Sequence, residues 1–145
     1  MKLSKIKLGM ELPSVSHLVT RKNISRYGRA VGGFNAVHDD EVFAEEKGFE
    51  TVIAHGVMHL NYITQMLSDF AGHPDRVKMI DIKFGKPVYP SDTVTAKGRI
   101  AKVSKQDENL RIICEIWSEN QYGQRVTYDG LAEIELPGEN GFEGT

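Results

Sequence analysis

The chain has 145 residues, enough for one domain of ordinary size that buries a core without disulfides or metals. With 40% hydrophobic and 26% charged residues and a formal net charge of -2, nothing electrostatic favours nucleic acid or an anionic membrane as a partner. The single cysteine, Cys114, excludes an intrachain disulfide and is compatible with a reducing cytosol. The N-terminal "MKLSKIKLGMELP" carries lysines but no continuous apolar stretch, so no signal peptide is read there. No run approaches the ~20 apolar residues of a membrane helix, and the expected location is cytoplasmic.

Along the chain, "SVSHLVT" alternates weakly and reads as a short strand. Thr20 is placed to cap a helix through "RKNISRYGRAV", with Ile24, Tyr27 and Val31 on one face and Gly32 and Gly33 as its break. Either aspartate of "DDEVFAEEKG" can cap a short second helix that ends at Gly48. The clearest helix begins near His55. In "HGVMHLNYITQMLSDFAG" the stripe is Val57, Leu60, Ile63, Thr64, Leu67 and Phe70, with Met58, Tyr62 and Met66 on a flank. Gly72 and Pro74 stop it.

The second half reads as strands near Val77–Lys86, Asp92–Val103, Leu110–Asn120 and Gln124–Leu136, separated by "YPSD", "KQDEN" and "NQYGQ". In the last strand Val126, Tyr128, Ala132, Ile134 and Leu136 are expected to face one way, and Thr127, Asp129, Glu133 and Glu135 the other. Connections this short force antiparallel pairing. An apolar helix needing cover from several directions and a sheet needing to bury one face give an α+β domain, with the sheet curled around the helix. The domain is read as residues 1–136, and the polar, glycine-rich "PGENGFEGT" at 137–145 as a loose tail.

Chemistry concentrates in "VGGFNAVHDD", where Asn35 and His38 precede an acidic pair. A second motif is "IAHG" at 53–56, which opens the long helix. A third is "FGKPVYPSDTV", whose Pro87 and Pro90 demand an irregular or edge strand. Together with the closing "ENQYGQRVTYDGLAEIEL", these resemble the MaoC-like dehydratases, the (R)-specific enoyl-CoA hydratase branch of the hot dog fold. That family's loop runs roughly Ser-Gly-Asp-x-Asn-Pro-[Ile/Val]-His, followed by Ile-Ala-His-Gly-Met and Phe-x-Lys-Pro-Val-x-Pro-Gly-Asp-Thr. The resemblance extends from about Leu12 to Leu136.

It implies a single hot dog domain, long helix inside and sheet outside, commonly paired into dimers. The implied reaction is reversible syn addition of water to a trans-2-enoyl thioester of CoA or acyl carrier protein in fatty acid metabolism, with no cofactor and no metal. In the family an aspartate and a histidine hold one water between them, because OH and H add to neighbouring carbons. By the resemblance His38 is that histidine and Asn35 the orienting asparagine, while Gly33 falls where the aspartate belongs. Val31 and Ala36 also depart from the family's serine and proline. Asp39 and Asp40 are the nearest other carboxylates, each readable as a helix cap; Asp69 lies too far along the helix.

The first N–H groups of a helix are unpaired and carry the positive end of its dipole. They suit an enolate oxygen, so the resemblance makes the Gly56 N–H the oxyanion donor; the alternative is a plain loop-to-helix junction. Gly33, His55, Val57 and Thr64 are the expected substrate-binding positions. His55 is also expected to bond the loop, His59 to be packed or at the surface, and the alternative for Thr64 is a bond to its own helix. Lys86, Arg76 and Lys78 could meet CoA phosphates or simply form a solvated face. No phosphate-cradling glycine loop and no nucleophile elbow occur, and "HGVMH" lacks the glutamate or third ligand of a zinc helix. Two other readings fit the missing carboxylate: a non-catalytic subunit of a heteromeric dehydratase, and a thioesterase or acyl-thioester-binding protein on the same fold.

Overall fold

Two tight hairpins build the sheet. Strands β3 (Thr93–Gln106) and β4 (Asn109–Glu119) pair antiparallel across Asp107 and Glu108, and β4 pairs antiparallel with β5 (Arg125–Leu136). Asp107 carries the positive φ of 57° that so short a connection needs. The short β1 (Val15–Leu18) adds to β3, and β2 (Val77–Phe84) adds to β5, giving the order β1-β3-β4-β5-β2, antiparallel throughout. The structure, a computed structural model, describes residues 6–31 and 36–138.

Helix α1 (Arg21–Val31) follows β1, a 3-10 turn spans Ala36–His38, and α2 (Glu41–Glu46) precedes the long α3 (Gly56–Ala71). Thr20 caps α1 by accepting from the Asn23 N–H at 3.0 Å, and Asp40 caps α2 by accepting from Phe43. Ile24 is fully buried, but Val31, expected on the same face, is 56% exposed in the last turn of α1, where among the described residues no core cluster includes it. Helix α3 touches all five strands, so the sheet wraps it in the hot dog arrangement. Its buried side is Met58, His59, Ile63, Met66, Leu67, Phe70 and Ala71. Val57, expected on the apolar stripe, is exposed instead, because the first turn turns Met58 and His59 to the interior.

The main core joins Ile63, Met66, Leu67 and Phe70 to Ala96, Ile100, Ile112, Cys114, Ile116 and Ile134. A second, smaller cluster lies under the first turn of α3 and gathers Val19, Ile24, Ala54, Met58, Val88, Val94 and Val126. It draws one residue or two from each of the segments that meet there. Stacking of His17 on Tyr62, with ring centres 4.2 Å apart, and a 2.7 Å hydrogen bond from His17 to Gln65 pin β1 to α3.

The alternation expected in β5 breaks at one place. Between Ile116↔Gly130 and Ser118↔Thr127 the two strands go out of step, and Asp129 takes a positive φ of 46°. This bulge turns Tyr128 outward and puts Thr127 in the interior, where its hydroxyl shares a 2.6 Å hydrogen bond with buried Ser118. Strand β2 ends at Phe84, two residues before the expected Lys86, as the chain approaches Pro87, which has no N–H to give a ladder. Among the described residues no helix is long and apolar enough to cross a membrane.

Candidate active site

Three of the sequence motifs meet at the N-terminus of α3, held together by main-chain bonds. The Ile53 N–H donates to Val37 of the 3-10 turn at 3.0 Å, and the Ala54 N–H donates to Val88 of "FGKPVYP" at 2.9 Å. His38 Nδ1 donates to the Ile53 carbonyl at 2.7 Å. That bond fixes the tautomer: a carbonyl only accepts, so Nδ1 carries hydrogen and Nε2 is left with the lone pair in the neutral ring. His38 is half-buried, placed between protein and solvent. Gly33 and Asn35 lie outside the described residues.

His55 is the N-cap residue of α3, and its side chain makes no bond to the helix amides. Its Nε2 instead donates to the Ile24 carbonyl at 3.2 Å, tying α1 to the site as the loop-bonding expectation required. The His38 and His55 rings lie 3.8 Å apart, centre to centre, inclined by 31°. The Tyr27 ring also lies beside His55, with centres 5.2 Å apart. Burial lowers the proton affinity of His55, and the neighbouring His38 lowers it further; the Ile24 carbonyl and then Asp39 act in the opposite sense. The sequence gives no sign of this ring contact, because the rings are 17 residues apart in the chain and are brought together by bonds such as those of Ile53 to Val37 and His55 to Ile24.

Gly56 begins α3, so its N–H is among the amides without a helical acceptor. A Cβ added there would stand 3.0 Å from the Phe84 ring, so part of the reason for glycine is the close seat of that aromatic. Phe84 is itself 54% exposed and covers the helix start from the β2 side. Val57 is exposed in the same turn. Thr64, eight residues on, is about 12 Å along the axis, and its hydroxyl donates to the Leu60 carbonyl at 2.9 Å. Asp40 is engaged as the α2 cap, and Asp69 lies exposed in the last turn of α3, at the opposite end from Gly56. Arg76 is also at that opposite end, donating to the Ala71 carbonyl, and Lys78 follows it on β2. Of the three basic candidates, only exposed Lys86 belongs to the segment at the site.

His59 is buried at 4% exposure, with Nδ1 unbonded, and burial pushes its pKa down to about 4. It is therefore a packed neutral histidine of the helix interior, one of the two expected placements. Cys114 is likewise buried, its thiol pushed up to about 12, which leaves it unreactive.

A family model described as a MaoC like domain matches residues 7–119. The chain belongs to the MaoC-like dehydratase family. Peroxisomal multifunctional enzyme type 2 of Mus musculus is 33% identical over 129 residues, which cover 84% of this MaoC-like chain and 17% of the mouse enzyme. The 3-hydroxybutyryl-CoA dehydratase of Methylorubrum extorquens is 26% identical over 120 residues, 82% of this chain and 74% of that protein. The unliganded R-hydratase PhaJ1 from Pseudomonas aeruginosa superposes with a TM-score of 0.80 at 23% identity, over 94% of this chain and 85% of its own. The ChsH1-ChsH2 complex from Mycobacterium tuberculosis supplies a chain with a TM-score of 0.75 at 23% identity, over 90% of this chain and 98% of that one. These likenesses show a shared hot dog fold, and the family's kind of chemistry is hydration and dehydration.

Proposed function

We propose that this MaoC-like chain is an (R)-specific enoyl-thioester hydratase, reversibly a 3-hydroxyacyl-thioester dehydratase. The observation that carries the reading is His38, locked by the Ile53 carbonyl so that Nε2 holds the lone pair of the neutral ring, beside an N-terminus of α3 that has no side-chain cap from His55. In this reading the thioester oxygen takes the Gly56 N–H, and the dipole of α3 stabilises the enolate that forms when water adds. His38 serves one proton transfer, and Asn35 orients the water. Lys86 is placed to meet the CoA phosphates. The acyl carrier is CoA or acyl carrier protein, and the working unit is a dimer of this chain or of this chain with a related one.

The test follows loss of enoyl absorbance on hydration of crotonyl-CoA, for the natural chain and for Gly33→Asp. Activity in either supports the reading. Silence in both, with folded protein, overturns it for short-chain CoA substrates.

One observation favours a second reading. Gly33 stands where the family motif has its aspartate, and a relative is named as the beta subunit of 3-oxo-4,17-pregnadiene-20-carboxyl-CoA hydratase. A non-catalytic subunit would be silent alone and would raise the activity of a partner chain on mixing. Light scattering then separates a heteromer from a stable homodimer.

A further inference from the structure

The two neighbouring histidines have opposite ends tied down. His38 gives Nδ1–H to the Ile53 carbonyl, and His55 gives Nε2–H to the Ile24 carbonyl. In the neutral rings the lone pairs therefore belong to His38 Nε2 and His55 Nδ1. An N-cap side chain ordinarily spends its acceptor on the helix amides; His55 does not, so its Nδ1 keeps that acceptor. With the ring centres 3.8 Å apart, a substrate held against one imidazole has the other as its immediate neighbour. A site with one base missing from its sequence motif thus contains a second base that the motif does not predict.

We propose that His55 Nδ1 accepts the water proton that the family carboxylate would otherwise take; this rests on the hydratase reading above. The pair begins with one extra proton, on His38. The water oxygen bonds to the β carbon while His55 Nδ1 takes one of its protons. The π electrons of the double bond move through the α carbon onto the thioester oxygen at the Gly56 N–H. His38 Nε2 then gives its proton to the α carbon as the enolate collapses. One water is added across the double bond, the pair ends with its proton on His55 instead of His38, and exchange with solvent resets it.

Two positive rings this close repel, so the pair favours a single proton. The groups around His55 pull both ways, the Ile24 carbonyl holding a proton on Nε2, with burial the largest influence. Burial and His38 both lower the affinity of His55, Asp39 beyond the 3-10 turn raises it more weakly, and Tyr27 on α1 brings a neutral ring. Burial beside His38 favours the neutral form of His55, the form that accepts a proton.

The deciding experiment is crotonyl-CoA hydration by His55→Phe, which keeps a ring in place, in the natural chain and in the Gly33→Asp background. In the natural chain kcat should fall on the order of 10²-fold with KM nearly unchanged. With Gly33→Asp the same change should cost less than about 10-fold, because the carboxylate resumes the task. Equal losses in both backgrounds mean that His55 only supports the structure, and no loss in the natural chain means that it takes no proton; either result overturns the proposal while leaving the hydratase reading intact. Silence of every folded chain overturns both. A readout independent of turnover is the long-range ¹H–¹⁵N spectrum of the imidazoles. His55 should be the Nε2–H tautomer, with a midpoint that rises in His38→Phe; an Nδ1–H tautomer overturns the proposal.

Discussion

The two ends of α3 are finished in opposite ways. At the C-terminus, Gly72 takes the left-handed conformation at φ 87° and returns its N–H to Ser68, while the Arg76 guanidinium donates to the Ala71 carbonyl. Those bonds satisfy orphan carbonyls and set a cation on the negative end of the dipole. At the N-terminus the cap residue has no side-chain bond to the helix, the first residue is a glycine, and imidazoles stand in front. One end is closed by its own chain for stability. The other has no side-chain cap from His55 on its positive pole.

The comparison breaks most visibly if rate and stability fail to separate between the ends. His38→Gln should lower crotonyl-CoA hydration by about 10²–10⁴-fold if the chain turns over, with a melting temperature close to that of the natural protein. An equal fall in melting temperature would show that the open end is structural as well. Between the ends, Leu67→Ala empties a fully buried position and should cost about 2–5 kcal/mol in urea unfolding.

The buried His59 adds a pH test. Its pKa is about 4 in the fold against about 6.5 unfolded, so between those values the unfolded chain holds more protons. Its contribution is fully present above pH 6.5 and is lost as pH falls through 4, a change on the order of 3 kcal/mol. His59→Leu should flatten that part of the stability profile; an unchanged slope would assign it to other groups. At the closed end, Gly72→Ala forces a side chain into φ 87° and should cost about 1 kcal/mol, leaving KM unaltered.

The smallest effect comes from the "YPSD" turn, where Ser91 has φ 77° and follows Pro90. The family motif has glycine there. Ser91→Gly should stabilise by up to about 1 kcal/mol, measured as a rise in melting temperature.

Period and punctuation made most of the fold readable in advance. The α3 run with Gly72, the Thr20 cap and the hairpin turns are local signals, and the structure places them as read. Tyr128 and Val57 escaped for opposite reasons. A bulge at Asp129 reverses the strand face, and such a slip leaves little trace in residue type. Val57 has helical spacing, but it lies on the exposed side of the first turn of α3, and spacing alone does not say which side the core takes. At the site, His38 and Gly56 were legible as motif residues. The contact of His38 with His55 and the seating of Phe84 on Gly56 were not, because each joins segments distant in the chain.

The frame of the site is made of peptide groups: Ile53 to Val37, Ala54 to Val88, and two imidazoles held by carbonyls. Any residue other than proline supplies the same N–H and C=O. Substitutions at these framing positions therefore change size and polarity around the imidazoles without undoing their alignment. Such a scaffold is forgiving to mutation: chemistry can be lost or regained one side chain at a time while the geometry is inherited intact.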